Sequence, residues 1–418
     1  MKELLSYKSK SCQAVIPVFI IMVFVSSCHK EITTTNQTGA TATGNFSQVF
    51  QDFWTNMNNN YVFWSIDTTN WDNMYNIYAP RFAKLNLYDS ADNNTAIGYF
   101  KQMVDGLSDS HYTLFPGGGF IQPAHDRKLK NSAFIENMFQ TAPYSPSIDG
   151  RFYYTNGLDS LYLDNKVIGV DTTGSNKDMY AVAGIISSSN ILYFSFSKFA
   201  LVSEYQGGSA KIKAVLDYFF NKLNSASVTG LIIDVRGNGG GEISDLNFLV
   251  GSLISSPLQI GYTRSKSGIG RLDYTPWEPA IVTPRAGAAA FTKPIVVLAD
   301  GESVSMAELT TMALKRLANT KVVGDTTWGA NGPLTINSDF NAGSFNFGNI
   351  STNIETGGTT YYGNAYTSST MFKYMDDKIY EGKGFPPDYE LKQTLSTVFL
   401  RNNFIDDPQL DKAISLLQ

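Results

Sequence analysis

Two cysteines and three histidines in 418 residues leave little scope for chemistry that depends on either. Both cysteines, Cys12 and Cys28, lie near the start of the chain, so no disulfide framework staples the fold and stability must come from a buried core. No group of residues has metal-ligand spacing, and neither a metal nor an organic cofactor is expected. A basic excess is also missing. Lys and Arg number 32 against 37 Asp and Glu, a net charge of −5, which argues against nucleic acid as a partner. Charged residues make up only 17% and hydrophobic ones 43%, a balance that excludes a disordered chain and suits two or three packed domains. There is no internal repeat and no long low-complexity tract.

The first residues read as a targeting segment. Lys2, Lys8 and Lys10 precede an apolar run from Ala14 to Val25, too short to span a bilayer comfortably, and the run ends in Ser26-Ser27-Cys28. Those small residues before a cysteine resemble the lipobox of bacterial lipoproteins, which implies removal of residues 1–27 and lipidation of Cys28. An ordinary secretory signal is the alternative. The expected location is the cell envelope, lipid-anchored at the outer membrane or facing the periplasm. Residues 28–44, polar and rich in threonine, read as a flexible tether.

Phe46, Phe50, Phe53, Trp54, Met57 and Tyr61 recur at helical spacing, and so do Ile97, Phe100, Met103, Val104 and Leu107. A helical N-terminal domain is expected over 45–115, its aromatic stripe packing between helices or, alternatively, lining a ligand cavity. A β-rich segment follows over 116–180, with strand-like runs at Phe152-Tyr153-Tyr154 and Val167-Ile168-Gly169-Val170. From 181 to 418 strands alternate with helices. Strands are expected at Ile191–Phe196, Leu231–Ile233, Ile295–Ala299 and Val322–Gly324, and helices at Ala210–Leu223 and Ala307–Leu317. The fold class is therefore α/β. Asp407-Pro408 supplies a cap and a first-turn proline for a closing helix.

Two segments carry the chemistry. Asp234-Val235-Arg236-Gly237-Asn238-Gly239-Gly240-Gly241 follows a buried strand with four glycines, where bare backbone N–H groups can approach a ligand; a plain strand-to-helix turn is the alternative. Glu302-Ser303-Val304-Ser305-Met306-Ala307-Glu308 places serine hydroxyls at a helix mouth, where free N–H groups and the helix dipole favour developing negative charge. These serines are a nucleophile or simply helix caps. A base must come from few imidazoles. His29 sits in the tether, leaving His111 and His125, each equally readable as a structural residue.

With Val322-Val323-Gly324-Asp325-Thr326-Thr327-Trp328-Gly329-Ala330-Asn331-Gly332 and Tyr380-Glu381-Gly382-Lys383-Gly384-Phe385-Pro386-Pro387-Asp388 added, the chain from about Gly106 onward resembles the tail-specific or C-terminal-processing serine peptidases, including the tricorn core. The resemblance implies a crotonase/ClpP-like catalytic core and peptide or protein substrates. It makes Ser305 the nucleophile, with the N–H groups of Gly240 and Met306 forming the oxyanion hole. One branch uses a Ser-Lys dyad, but Ala330 stands where its lysine would be. The tricorn-like branch implies Ser110 and His111 with Glu381, the histidine taking the serine proton and the glutamate orienting the site; for Glu381 the alternative is a solvated loop carboxylate. A substrate-binding PDZ module, frequent in the family, is expected to be reduced or absent. The expected activity is a lipid-anchored serine endopeptidase. The alternative is a non-catalytic lipoprotein of the same fold that binds peptides or apolar ligands.

Overall fold

Aromatic residues three and four apart turn one face of a helix toward the interior. The computed structural model describes residues 44–123, 162–333, 343–352, 359–392 and 407–418, apart from positions 173, 175, 177, 178 and 188. In it that pattern forms α1 (Phe46–Asn60), whose cap Asn45 accepts the Gln48 N–H. Phe46, Val49, Phe50, Phe53 and Met57 are buried, each side chain contributing about 1.5–3 kcal/mol. Helices α2 (Trp71–Phe82) and α3 (Ser90–Val104) pack on it, with the Phe53 and Phe100 rings edge-to-face at 4.8 Å. The aromatic stripe thus packs into a core, against the other helices and against Phe347 and Tyr362. Beyond α3 the chain turns through residues 107–111 into β1 (Thr113–Pro116).

The signal segment, the tether, Cys28, His29, His125 and the run at Phe152–Tyr154 lie outside the described residues. All described residues fall in one unit that starts at residue 40. None of the helices among them is long and apolar enough to cross a membrane.

The next strands are β2 (Leu163–Val170), β3 (Tyr180–Ile186) and β4 (Ile191–Phe196), with β3 antiparallel to both β2 and β4. Helices α4 (Leu201–Gly207) and α5 (Ala210–Leu223) lead to β5 (Gly230–Asp234), which lies parallel to β4. After α6 (Ser244–Leu249) comes the antiparallel pair β6 (Leu258–Ser265) and β7 (Glu278–Val282), then β8 (Ile295–Ala299), parallel to β5. Helix α7 (Met306–Lys315) connects β8 to its parallel neighbour β9 (Thr320–Gly324). The remaining strands are β10 (Ser344–Thr352), β11 (Thr359–Tyr366), β12 (Thr370–Tyr374) and the short β13 (Tyr389–Glu390), and α8 (Pro408–Ser415) follows.

The central sheet has seven strands in the order β13-β9-β8-β5-β4-β3-β2. Its central strands are continuous apolar runs because both faces are covered. Leu231, Ile233, Ile295, Val297 and Val322 face α5 and α7, while Ile232, Val296, Leu298 and Val323 face Leu410, Ala413 and Leu417 at the end of the chain. Two smaller antiparallel sheets, β1-β11-β10 and β12-β6-β7, complete the molecule. The first packs through Leu114, Phe347, Tyr362 and Ala365 on α1–α3.

Under the glycine segment sits a buried ion-pair network. The Arg236 guanidinium pairs with Asp234 at 2.6 Å and with Asp407 at 2.9 Å, and donates to Gln409 Oε1. Asp407 also caps α8, accepting the N–H groups of Gln409 and Leu410. The capping aspartate of the closing helix therefore anchors that helix to the segment that leads from β5 into the glycines.

Candidate active site

The serine turn follows β8. Ser303 is buried, its hydroxyl donating to Val235 O at 2.8 Å and accepting the Asp300 N–H, so this serine fixes the turn. Ser305 is half-buried at the N-terminus of α7, with φ +57° and ψ −111°, an uncommon conformation for a residue with a side chain. Its N–H donates to Glu308 Oε2 at 3.0 Å.

The glycine segment lies directly against this turn. Val304 N–H donates to Asn238 O at 2.9 Å, and the buried Asn238 side chain ties the loop to Phe196 O through its Nδ2. Gly240 has φ +89°, and a methyl group there would sit 2.8 Å from Ser305 Cβ and 2.9 Å from Met306 N. Only glycine permits that approach. One detail differs from the sequence expectation. The Gly240 N–H donates to Asn238 Oδ1 at 2.9 Å, because the asparagine curls back over its own loop, so this amide is already engaged. Met306 opens α7, where N–H groups lack partners within the helix.

The histidine turn is held by two buried carboxylates. Asp109, fully buried, accepts the His111 N–H and the Ser368 hydroxyl at Oδ1, and the Thr367 hydroxyl and Ser368 N–H at Oδ2. Glu381 is 2% exposed and accepts the Ser110 N–H at 2.9 Å through Oε1, with the N–H groups of Asn331 and Gly332 both at 2.7 Å on Oε2. It is therefore not a solvated loop carboxylate, and it meets Ser110 through the backbone. Burial, the Asp109 charge and the more distant Glu308 push the Glu381 carboxyl well above its ordinary range, against the opposing pull of its amide donors.

One ring nitrogen of His111 and one oxygen each of Asp109 and Glu381 lie within 4.8 Å of one another. Such a trio raises the question of a metal. The residues do not fit one: seven N–H and O–H donors already point at the two carboxylates, occupying the lone pairs that a cation would need.

The structure thus brings Ser110, His111 and Glu381 into one group and Ser305, Met306 and Gly240 into another. The loop 327–332 joins them. Glu308, fully buried, accepts the Thr327 hydroxyl at 2.6 Å and the N–H groups of Gly329 and Ala330 at 2.7 Å, in addition to Ser305. The next two amides, Asn331 and Gly332, go to Glu381. Gly329 has φ +96°, and a methyl there would lie 2.7 Å from the amides of Lys383 and Gly384, so glycine lets the two loops cross. Sequence reasoning gave no role to Asp109, Asn238, Glu308, Thr367 or Ser368. Of these, Glu308 carried a readable signal in its Ser-x-x-Glu spacing from Ser305.

Residues 190–391 match the model of peptidase family S41. Among solved structures, the chain is similar to a candidate peptidase from Parabacteroides merdae ATCC 43184, with 19% identity and a TM-score of 0.62 over 90% of this chain and 97% of that one. It is also similar to mature CPAF complexed with lactacystin, with 13% identity and a TM-score of 0.50 over 83% and 93%. At such identities these likenesses establish the fold, an α/β core with a helical N-terminal region. No curated relative matches the chain.

Proposed function

From a family S41 peptidase core over residues 190–391, we infer that this protein is a serine endopeptidase anchored to the cell envelope by lipid on Cys28. His111 takes the proton of the Ser305 hydroxyl as the oxygen attacks the scissile carbonyl carbon. The oxyanion is met by the Met306 N–H, whose place at the start of α7 adds the helix dipole. A second donor from Gly240 requires its N–H to leave Asn238. Collapse expels the amine, which takes the proton from His111, and water then attacks the acyl-enzyme with the same histidine as base. Glu381, through the Ser110 amide, sets the histidine turn.

The observation that supports this reading is the hydrogen-bonded chain from Ser305 N–H through Glu308, the amides of 329–332 and Glu381 to Ser110, which links segments distant in sequence. A second reading, a non-catalytic peptide-binding protein, draws support from the engaged Gly240 amide and from Ala330. A fluorophosphonate probe separates them. Labelling of the native protein that disappears in Ser305→Ala is expected. No labelling of either protein favours the binder, and equal labelling of both removes Ser305 from its role.

A further inference from the structure

No step above uses Glu308, yet its carboxylate is fully buried and accepts four hydrogen bonds. All four donors are uncharged. One is the N–H of Ser305, and the other three are the Thr327 hydroxyl and the amides of Gly329 and Ala330. A carboxylate in such a place costs free energy unless its acceptor sites are filled, and here the donors come from two segments, the serine turn and the loop 327–330.

We propose that Glu308 is a positioning residue that holds Ser305 against the loop Thr327–Gly332, and that this loop, gripped at its far end by Glu381, fixes the nucleophile relative to the Ser110–His111 turn. The proposal rests on the reading of Ser305 and His111 as the reacting pair. Its physical basis is the division of four consecutive amides. Gly329 and Ala330 go to Glu308, and Asn331 and Gly332 go to Glu381. Consecutive peptide planes bound in pairs to two carboxylates cannot rotate independently, so a displacement at either carboxylate reaches the other.

Ser305 needs that support. Its φ of +57° lies outside the conformations that a serine adopts at little cost, and the Glu308 bond to its N–H fixes the peptide plane on which the hydroxyl stands. The Thr327 hydroxyl extends the network one step further by accepting the Phe385 N–H at 2.7 Å, next to the segment that carries Glu381. Glu308 touches neither the hydroxyl nor substrate in this arrangement and acts through the backbone alone.

The test is amide hydrogen exchange together with steady-state turnover. Glu308→Gln keeps the size of the side chain but offers one acceptor oxygen to four donors. Exchange at Ser305, Gly329 and Ala330 is expected to accelerate at least about tenfold, and exchange at Ser110 and His111 to rise with it. On a peptide substrate kcat is expected to fall about 10- to 100-fold with KM unchanged, and Glu308→Asp to recover part of the loss. Thr327→Val removes one donor to Glu308 and the acceptor of the Phe385 N–H but leaves the carboxylate in place, so a smaller loss of the same kind is expected there; it serves if Glu308→Gln does not fold. A folded Glu308→Gln with native exchange and native kcat overturns the proposal. So does exchange that rises at Ser305 but leaves Ser110 and His111 unchanged. A native protein that neither labels nor turns over peptide refutes the peptidase reading instead, while the exchange pattern still decides the role of Glu308.

Discussion

At Gly240 a methyl group has nowhere to go. It would meet Ser305 Cβ and Val304 O at 2.8 Å and Met306 N at 2.9 Å, on a backbone whose φ of +89° already disfavours a side chain. Gly240→Ala therefore displaces either the glycine loop or the serine turn, at a cost of about 1–3 kcal/mol in backbone strain alone. The expected result is a labelling rate with the fluorophosphonate probe at least about tenfold lower in a protein that still melts cooperatively. An undiminished rate would show that the loop does not shape the reacting centre. This juxtaposition was legible in the sequence because each half of it is a short contiguous motif. His111 stood out as one of few imidazoles, its pairing with Glu381 came only through family resemblance, and Asp109 carried no signal. Its partners Thr367 and Ser368 lie some 260 residues further along the chain, and no local pattern announces such a pairing.

Among the elements, those that bury a continuous face were the readable ones. Helix α5 occupies Ala210–Leu223 as its periodicity requires, and β5 and β8 follow the apolar runs that mark them. Helix α2 escaped notice because Asp72, Asn73 and Pro80 blur its pattern. The strands β6 and β10–β12 mix Thr, Asn, Gly and Ser with scattered aromatics, β7 opens on Glu278-Pro279, and all are held by partners the sequence does not name. Helix α4 shows another kind of dependence. Its start has no side-chain cap of its own, and Asp245 of α6 accepts the N–H groups of Leu201 and Val202 instead. Burial, with Glu242 adding, pushes the Asp245 carboxyl up to about 6 despite those two bonds. A folded-state value above the unfolded one means that this group's contribution to stability is complete below about pH 4 and is lost as pH rises through 6. Asp245→Asn abolishes the titration. Its stability deficit relative to the native protein should be larger at pH 4.5 than at pH 7.5, by about 2 kcal/mol in denaturant titrations. A deficit independent of pH would place the titration elsewhere.

For the whole molecule, the same hydrogen bonds that assemble the site also stitch its parts together. Asp109, at the end of the helical region, is bound to the turn before β12, and Glu381 holds the Ser110 amide to the loop after β9. Three of the five tryptophans, Trp54, Trp64 and Trp71, report on α1–α3, whereas far-ultraviolet circular dichroism reports on every helix and strand. Thermal transitions followed by the two signals should coincide within about 2 °C if buried polar bonds make one cooperative unit. Separated midpoints would mean that the helices melt on their own. The Arg236–Asp407 contact adds a dimension of time, because its partners are 171 positions apart. A growing polypeptide exposes the arginine roughly 10 to 35 seconds before the ribosome delivers the aspartate that completes its pairing. Until then the floor beneath the glycines is unfinished, so their loop reaches its final place only after most of the chain has emerged.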